Sequence, residues 1–167
     1  MGLINAVRDM RTIKRLLTQA EAEARGDGEE TPGPEHLLLA AAMLPDGTAS
    51  RALERVGIDR QRLRTAIDQV HASALAAVGI EAEHSPGGAA ELRGPVTGAF
   101  RSTPQAQRVF QQAVALSKSM KPARLQGAHV VATICDLEHG TVARALTGLG
   151  VDRDRLRTAA HVEARSS

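Results

Sequence analysis

Apolar side chains in the first half of the chain recur at intervals of three and four residues, the spacing of one face of an α-helix. This pattern predicts four helices. The second is apolar all round from Leu37 to Leu44, so we expect it to be the buried central helix. The apolar faces of the other three are formed by Ile13, Leu16, Leu17, Ala20 and Ala24, by Ala49, Ala52, Leu53 and Val56, and by Leu63, Ala66, Ile67 and Val70.

The same pattern returns later in the chain. The ten residues from Gly57 reappear from Gly150, a shift of 150 − 57 = 93 residues, with eight of the ten identical. The shift also aligns His36 with His129. A duplicated unit predicts an all-α fold of two pseudo-symmetric four-helix repeats, about eight helices in all. The second copy's apolar positions are Ala106, Val109, Phe110 and Ala113, then His129 to Leu137, then Val142, Ala145, Leu146 and Leu149, then Leu156 and Ala159.

Composition along the chain predicts where the repeats begin and end. We place repeat one at residues 1–78 and repeat two at 102–167. Residues 79–101 are rich in Gly, Pro, Ala and Ser, which predicts a flexible linker. The last helix of repeat two is predicted to be weaker, because Glu163 stands where repeat one has the apolar Val70.

Both repeats share residues that suit helix ends. Gly57 and Gly150 are placed to end the third helix of each repeat. Asp59 and Asp152 follow two residues later and are predicted to cap the fourth. We therefore interpret these four residues as structural repeat positions.

Composition restricts the class of protein. With two Phe and no Trp or Tyr among 167 residues, the core must be aliphatic. Cys135 is the single cysteine, which excludes an intramolecular disulfide and favours the cytoplasm. No apolar run has the length of a signal core or a membrane span, so no membrane partner is expected. The net charge of +2 with a pI near 9.2 is a weak indication of nucleic acid.

Three segments of repeat one resemble the Clp N-terminal repeat domain, the substrate- and adaptor-binding module of ClpA- and ClpC-type unfoldases. They are Gly33-Pro-Glu-His36-Leu-Leu-Leu, Gly47-Thr-Ala-Ser-Arg-Ala-Leu53 and Gly57-Ile-Asp59. Repeat two keeps Gly127-Ala-His129, and its opening Ser102-Thr-Pro-Gln-Ala-Gln-Arg-Val109 is similar to the family's. The resemblance covers about residues 9–70 and 102–163.

The resemblance implies a non-catalytic protein- or peptide-binding module. Such a protein would act as an adaptor, a decoy or a ligand-sequestering protein in Clp proteolysis. Its partners would be Clp ATPase or protease components, their substrates, or a small-molecule ligand of Clp N-domains. The sequence has no Gly-x-x-x-x-Gly-Lys-Ser/Thr loop, so it is not expected to be an unfoldase by itself.

In some ClpC-type domains each repeat carries a phosphoarginine pocket, in which a glutamate binds the guanidinium and backbone amides hold the phosphate. The resemblance places that glutamate at Glu35, with Pro34 and His36 beside it as candidate ligand-binding residues. Repeat two has Ala128 there, so its pocket should be absent or altered. Alternatively, Glu35 is simply a first-turn acid favoured by the helix dipole, worth about 0.3–1 kcal/mol.

Other chemistry finds little support. His36 and His129 begin equivalent helices, but a metal site needs three or four convergent ligands, so we interpret both as structural. Neither a nucleophile with its base nor a cofactor loop is apparent, so we expect no enzyme activity and no cofactor.

An arginine-rich stretch in each repeat raises a second hypothesis, an all-helical DNA-binding regulator. Helical residues two apart point about 200° from one another, so these arginines do not form one face. A solvated helix surface is the preferred interpretation, and nucleic acid is not an expected partner. The residues are Arg60, Arg62 and Arg64, with Arg153, Arg155 and Arg157.

Overall fold

The computed structural model describes residues 2–79 and 101–167, so residues 80–100 of the predicted linker lie outside the described residues. Within the described ranges the chain forms eight α-helices and no strand, as the sequence predicts. The helices are α1 (Gly2–Gly26), α2 (Pro34–Ala41), α3 (Thr48–Arg55), α4 (Arg60–Ala77), α5 (Pro104–Ser119), α6 (Gly127–Ile134), α7 (Thr141–Gly148) and α8 (Arg153–Arg165).

Helices α2 and α6 form the centre of the molecule. They contact each other, and nearly every residue of both is buried, as expected for helices that are apolar all round. Both are shorter than the apolar runs suggest, because Leu44 and Leu137 lie beyond the helix ends. There the amides of Leu44 and Leu137 bond to carbonyls only three residues back, which tightens the chain into a turn.

The two halves interlock around this centre. Helix α1 packs on α2 and α5 packs on α6, within each half. Between halves, α3 packs on α8 and α4 packs on α7. These two pairings are equivalent under the 93-residue shift, so the duplication in sequence is also a pseudo-symmetry of packing.

The turns joining the last two helices of each half are alike. Gly57 and Gly150 adopt left-handed backbone conformations with φ of 78° and 71°, which favour glycine. The Asp59 carboxylate accepts from the Arg62 amide at 2.7 Å, and Asp152 accepts from the Asp154 amide at 2.9 Å. Each Asp thus satisfies an amide that a helix start leaves without a partner.

Helix α1 extends further than the repeat. It begins at Gly2, about three turns before its first core-facing residue, Ile13. No proline interrupts this segment, and helix propagates readily once nucleated. The added turns leave a set of large apolar side chains exposed: Leu3, Ile4, Val7 and Met10.

That Glu163 weakens the last helix stays a prediction, but the structure gives this residue a partner that the sequence did not show. Its buried carboxylate accepts from Arg51 Nε at 2.7 Å and from Arg55 Nε at 2.6 Å, so it joins α8 to α3. The hydrogen bond from Arg51, with the nearby Arg55, lowers the pKa of Glu163 despite burial. The polar residue in the apolar face is therefore a link between the halves.

Candidate functional site

The start of α2 is organised by His36. The Gly33 amide donates to His36 Nδ1 at 2.9 Å, so Nδ1 is the acceptor and the neutral ring carries its proton on Nε2. That nitrogen donates to Asp27 Oδ2 at 2.9 Å. Both ring nitrogens of His36 are therefore bonded within the protein, and only 1% of its surface is exposed.

Behind His36 lies a network of charges between α1 and α4. Arg64 donates to Asp27 and, at 3.2 Å, to Glu23, which also accepts from Arg60. Burial raises the pKa of Asp27, but the hydrogen bond from His36 and the charge of Arg64 outweigh it and hold that pKa below its usual value. Through the bond between Asp27 and His36 Nε2, this network holds the His36 ring in place.

Glu35 is the most accessible of the three predicted site residues. Pro34 and His36 are buried, whereas the Glu35 side chain is 13% exposed. Its oxygens fold back over Gly33, where a Cβ would lie 2.7 Å from the Glu35 carboxylate. Glu35 Oε1 is 3.8 Å from His71 Nε2 and 3.8 Å from His36 Nδ1. The carboxylate thus lies in the first turn of α2, as predicted, and no arginine or lysine in the described part of the chain pairs with it.

The start of α5 lies beside the start of α2. The Thr103 amide donates to the Pro32 carbonyl at 3.0 Å, and the Thr103 hydroxyl caps α5 by accepting from the Ala106 amide at 3.1 Å. Two helix N-termini are therefore neighbours, with Glu35 in the first turn of one of them, and such ends favour anions.

The start of α6 repeats the cap but not its surroundings. The Gln126 amide donates to His129 Nδ1 at 3.0 Å, as Gly33 does to His36. His129 Nε2 is buried and has no partner among the described residues. Burial lowers the pKa of His129, which favours the neutral ring. The shift places Met120 where repeat one has Asp27, so the carboxylate is missing.

Residues of repeat one cap α6 instead. The Ala128 amide donates to Thr48 Oγ1 at 2.9 Å, and the Gly127 amide donates to Asp46 Oδ2 at 3.2 Å. A Cβ on Gly127 would approach the Ala41 carbonyl to 2.8 Å. Ala128 is fully buried, so the position equivalent to Glu35 faces protein.

The structure corrects the prediction of a solvated surface for four of the six arginines of α4 and α8, whereas Arg62 and Arg155 are exposed as predicted. Arg60 and Arg64 are bonded to Glu23 of α1, and Arg64 also to Asp27 just beyond it, while Arg153 donates to the Leu137 carbonyl. Arg157 donates to Asp136 at 2.7 Å. These side chains hold the last helix of each half to its neighbours. The signal was present in the sequence, because Glu23 and Asp27 have the same four-residue spacing as Arg60 and Arg64.

Other reactive groups are sparse in the part of the chain that the structure describes. Cys135 is buried, which raises its pKa to about 12 and keeps it a thiol. Across residues 2–79 and 101–167, no three His, Cys, Asp or Glu side chains are grouped to hold a metal ion. No helix in these ranges is long and apolar enough to span a membrane.

The fold and site together define a duplicated all-α module with paired histidine-capped helices at its centre. Residues 11–92 match the family model of the Clp repeat (R) N-terminal domain, which confirms the resemblance found in the sequence.

Two further similarities agree. The crystal structure of the N-terminal domain of the caseinolytic protease associated chaperone ClpD from Arabidopsis thaliana superimposes with a TM-score of 0.60 and 20% identity, covering 93% of this chain and 96% of that one. Chaperone protein ClpD2, chloroplastic, from Oryza sativa subsp. japonica is 31% identical over 148 residues. Those residues are 87% of this chain and 14% of the relative's length.

Proposed function

We propose that this chain is a non-catalytic protein- or peptide-binding module of the Clp system, and that Glu35 binds the guanidinium of an arginine-phosphorylated segment. The observation that carries the proposal is the position of Glu35: a partly exposed carboxylate in the first turn of α2, with no arginine or lysine of residues 2–79 and 101–167 paired to it. A carboxylate makes short, charge-assisted bonds to guanidinium hydrogens.

The surroundings of Glu35 suit the other end of that ligand. The start of α5 is bonded to Pro32, next to the start of α2, and the dipoles of helix starts attract phosphate. The Gly33, Thr103 and Ala106 amides are already bonded within the protein, so they are not proposed to contact the ligand. The roles of Pro34 and His36 in this proposal are to begin α2 and to fix its first turn, since both are buried. Glu35 alone is proposed to touch the ligand.

We propose one such pocket rather than two. At the start of α6, Ala128 offers no carboxylate and its amide is taken by Thr48. The binding surface of this module is therefore asymmetric, although its scaffold is duplicated.

Calorimetric titration with free phosphoarginine and with a phosphoarginine peptide tests the proposal. We expect binding that Glu35→Ala abolishes and Glu35→Gln weakens by about tenfold or more, since the charge is lost but the shape is kept. Glu54→Ala is the matched control, because Glu54 is an exposed helical glutamate of the same repeat. Unchanged affinity in Glu35→Ala, with an unchanged melting temperature, would reject the role of Glu35.

The adaptor or decoy role needs a separate experiment. Affinity capture with this chain should recover Clp ATPase subunits or their substrates from a lysate of its source cells. A DNA-binding regulator predicts instead strong, salt-dependent binding to duplex DNA. The pairing of Arg60 and Arg64 with acids argues against that alternative. The cytoplasmic location stays a prediction from the single cysteine.

A further inference from the structure

A second polar cleft lies away from Glu35, between the first half of α1 and the loop that precedes α6. We call it the α1–α6 cleft; its volume is about 420 Å³. Four arginines and two aspartates line it, a formal charge of 4 − 2 = +2. The residues are Arg8, Arg11, Arg15 and Arg124, with Asp9 and Asp46.

Both aspartates already accept hydrogen bonds from backbone amides of the protein. Asp9 Oδ1 accepts from the Leu125 amide at 2.9 Å. Asp46 accepts from the Thr48 amide at 2.9 Å and from the Gly127 amide at 3.2 Å. The arginines are different: within the described residues none of their four side chains forms an ion pair or a hydrogen bond. In this part of the chain the cleft therefore presents cations that are not paired with an acid.

Two lining residues also hold buried polar atoms without partners. Gln126 is 1% exposed, and neither its Oε1 nor its Nε2 is hydrogen-bonded in the described part of the chain. Arg124 Nε is buried and equally without a partner. A buried polar group left unpaired is unfavourable, because it has lost its hydrogen bonds to water. These unpaired atoms belong to two residues that line the same cleft, as expected where a bound ligand supplies the missing hydrogen-bond partners.

We propose that the α1–α6 cleft binds an acidic peptide segment. Its carboxylates would pair with the arginines, whose planar guanidinium groups suit carboxylate oxygens. Its main-chain amide would pair with the Gln126 side chain, because a carboxamide needs both a donor and an acceptor and a peptide group supplies both. The helix dipole of α6 is not the attraction, since its first amides are occupied by Asp46 and Thr48.

This site is independent of the phosphoarginine proposal. The arginines of the α1–α6 cleft would bind negatively charged peptides, whereas Glu35 would bind a positively charged guanidinium. Neither Pro34 nor Glu35 lines the α1–α6 cleft. The two proposals can therefore fail separately.

Fluorescence anisotropy with a labelled hexaglutamate peptide, against hexaglutamine at the same ionic strength, tests this site. We expect the acidic peptide alone to bind, and Arg15→Ala and Gln126→Leu each to weaken it by about tenfold or more. Arg108→Ala is the matched control, because Arg108 is the exposed counterpart of Arg15 on α5 at the 93-residue shift. Glu35→Ala should leave this binding unchanged.

Three results would overturn the proposal. The first is no binding of hexaglutamate to the unmodified chain. The second is an equal loss in Arg15→Ala and Arg108→Ala, which would mean attraction to net charge alone. The third is displacement of the peptide by inorganic phosphate at equal concentration, which would mean a small-anion site. Arg15 is exposed, so its variant tests the proposal even if Gln126→Leu fails to fold.

Discussion

The starts of α2 and α6 have the same histidine cap and opposite surroundings. In both, the ring Nδ1 accepts an amide three residues upstream, at 2.9 Å for His36 and 3.0 Å for His129. His36 then donates to Asp27 within a charged network, whereas His129 Nε2 has no partner among the described residues. Duplication has kept the bond that shapes the backbone, while the partner on the far side of the ring has changed.

The pairings between halves differ in the same way. Where α8 meets α3, the buried Glu163 bonds to two arginines. Where α4 meets α7, the equivalent residue is the apolar Val70, and Arg144 lines a shallow cleft beside it. The helices pack alike in both places. Packing geometry is therefore set by the apolar positions, and the polar bonds are additions that one half has and the other lacks.

The largest expected effect comes from removing the carboxylate that distinguishes the α2 start. Asp27→Ala should lower the free energy of unfolding by about 3 kcal/mol. The substitution leaves His36 Nε2 buried without a partner and removes one of the carboxylates that pair with Arg64. Chemical denaturation monitored by circular dichroism measures the change. Asp68→Ala is the control, since Asp68 also pairs with Arg64 but is 53% exposed.

That control should cost less than about 1 kcal/mol, as exposed ion pairs do. If Asp27→Ala and Asp68→Ala lower the free energy of unfolding equally, the bond between Asp27 and His36 adds no measurable stability. The contrast between α2 and α6 would then be one of geometry alone.

A smaller effect is expected where α8 meets α3. Glu163→Gln should cost about 1.5 kcal/mol, because its single side-chain oxygen can accept from only one of the two arginines, which are 46% and 53% exposed and remain partly hydrated. Glu163→Val copies the other half at Val70 but removes both hydrogen bonds and leaves the two arginines without an acid, so it should cost more than Glu163→Gln. A smaller loss in Glu163→Val, measured by thermal unfolding, would mean that the polar bonds do not stabilise this pairing.

Much of this fold can be predicted from the sequence. The helical spacing of small apolar residues and the 93-residue repeat predict eight helices, and the described residues contain eight. Helix lengths were predicted less well, because apolar runs continue past Ala41 and Ile134 into turns that are also buried. Periodicity reports burial, and burial does not end where a helix ends.

The polar site is harder to predict. Asp27 and Arg64 are 37 residues apart, and Asp46 and Gly127 are 81 apart, so only the fold brings them together. The sequence placed Glu35 at the start of α2 but could not show that His36 is enclosed or that repeat one caps α6. Contacts between segments depend on packing, which local patterns do not contain.

The smallest effect tests the unpaired histidine. Burial lowers the pKa of His129 below its usual 6.5, so beneath that pH the unfolded chain takes up a proton that the folded chain refuses. Stability is then fully present above 6.5 and falls with decreasing pH, by at most about 1 kcal/mol between pH 6.5 and 5.5. Asp27, whose pKa is lowered from 3.8, loses its contribution only below that value, so the two groups act in separate ranges.

Histidine proton shifts in NMR titrations measure the pKa of His129, and denaturation at each pH measures how stability changes with protonation. Its surroundings include Asp46 and Asp9, which raise the pKa, and His161, which lowers it together with burial. His129→Gln should flatten the loss of stability below pH 6.5, whereas His139→Gln, an exposed control, should leave it unchanged. A normal pKa for His129 would mean that its Nε2 has found a partner, and the contrast with His36 would then disappear.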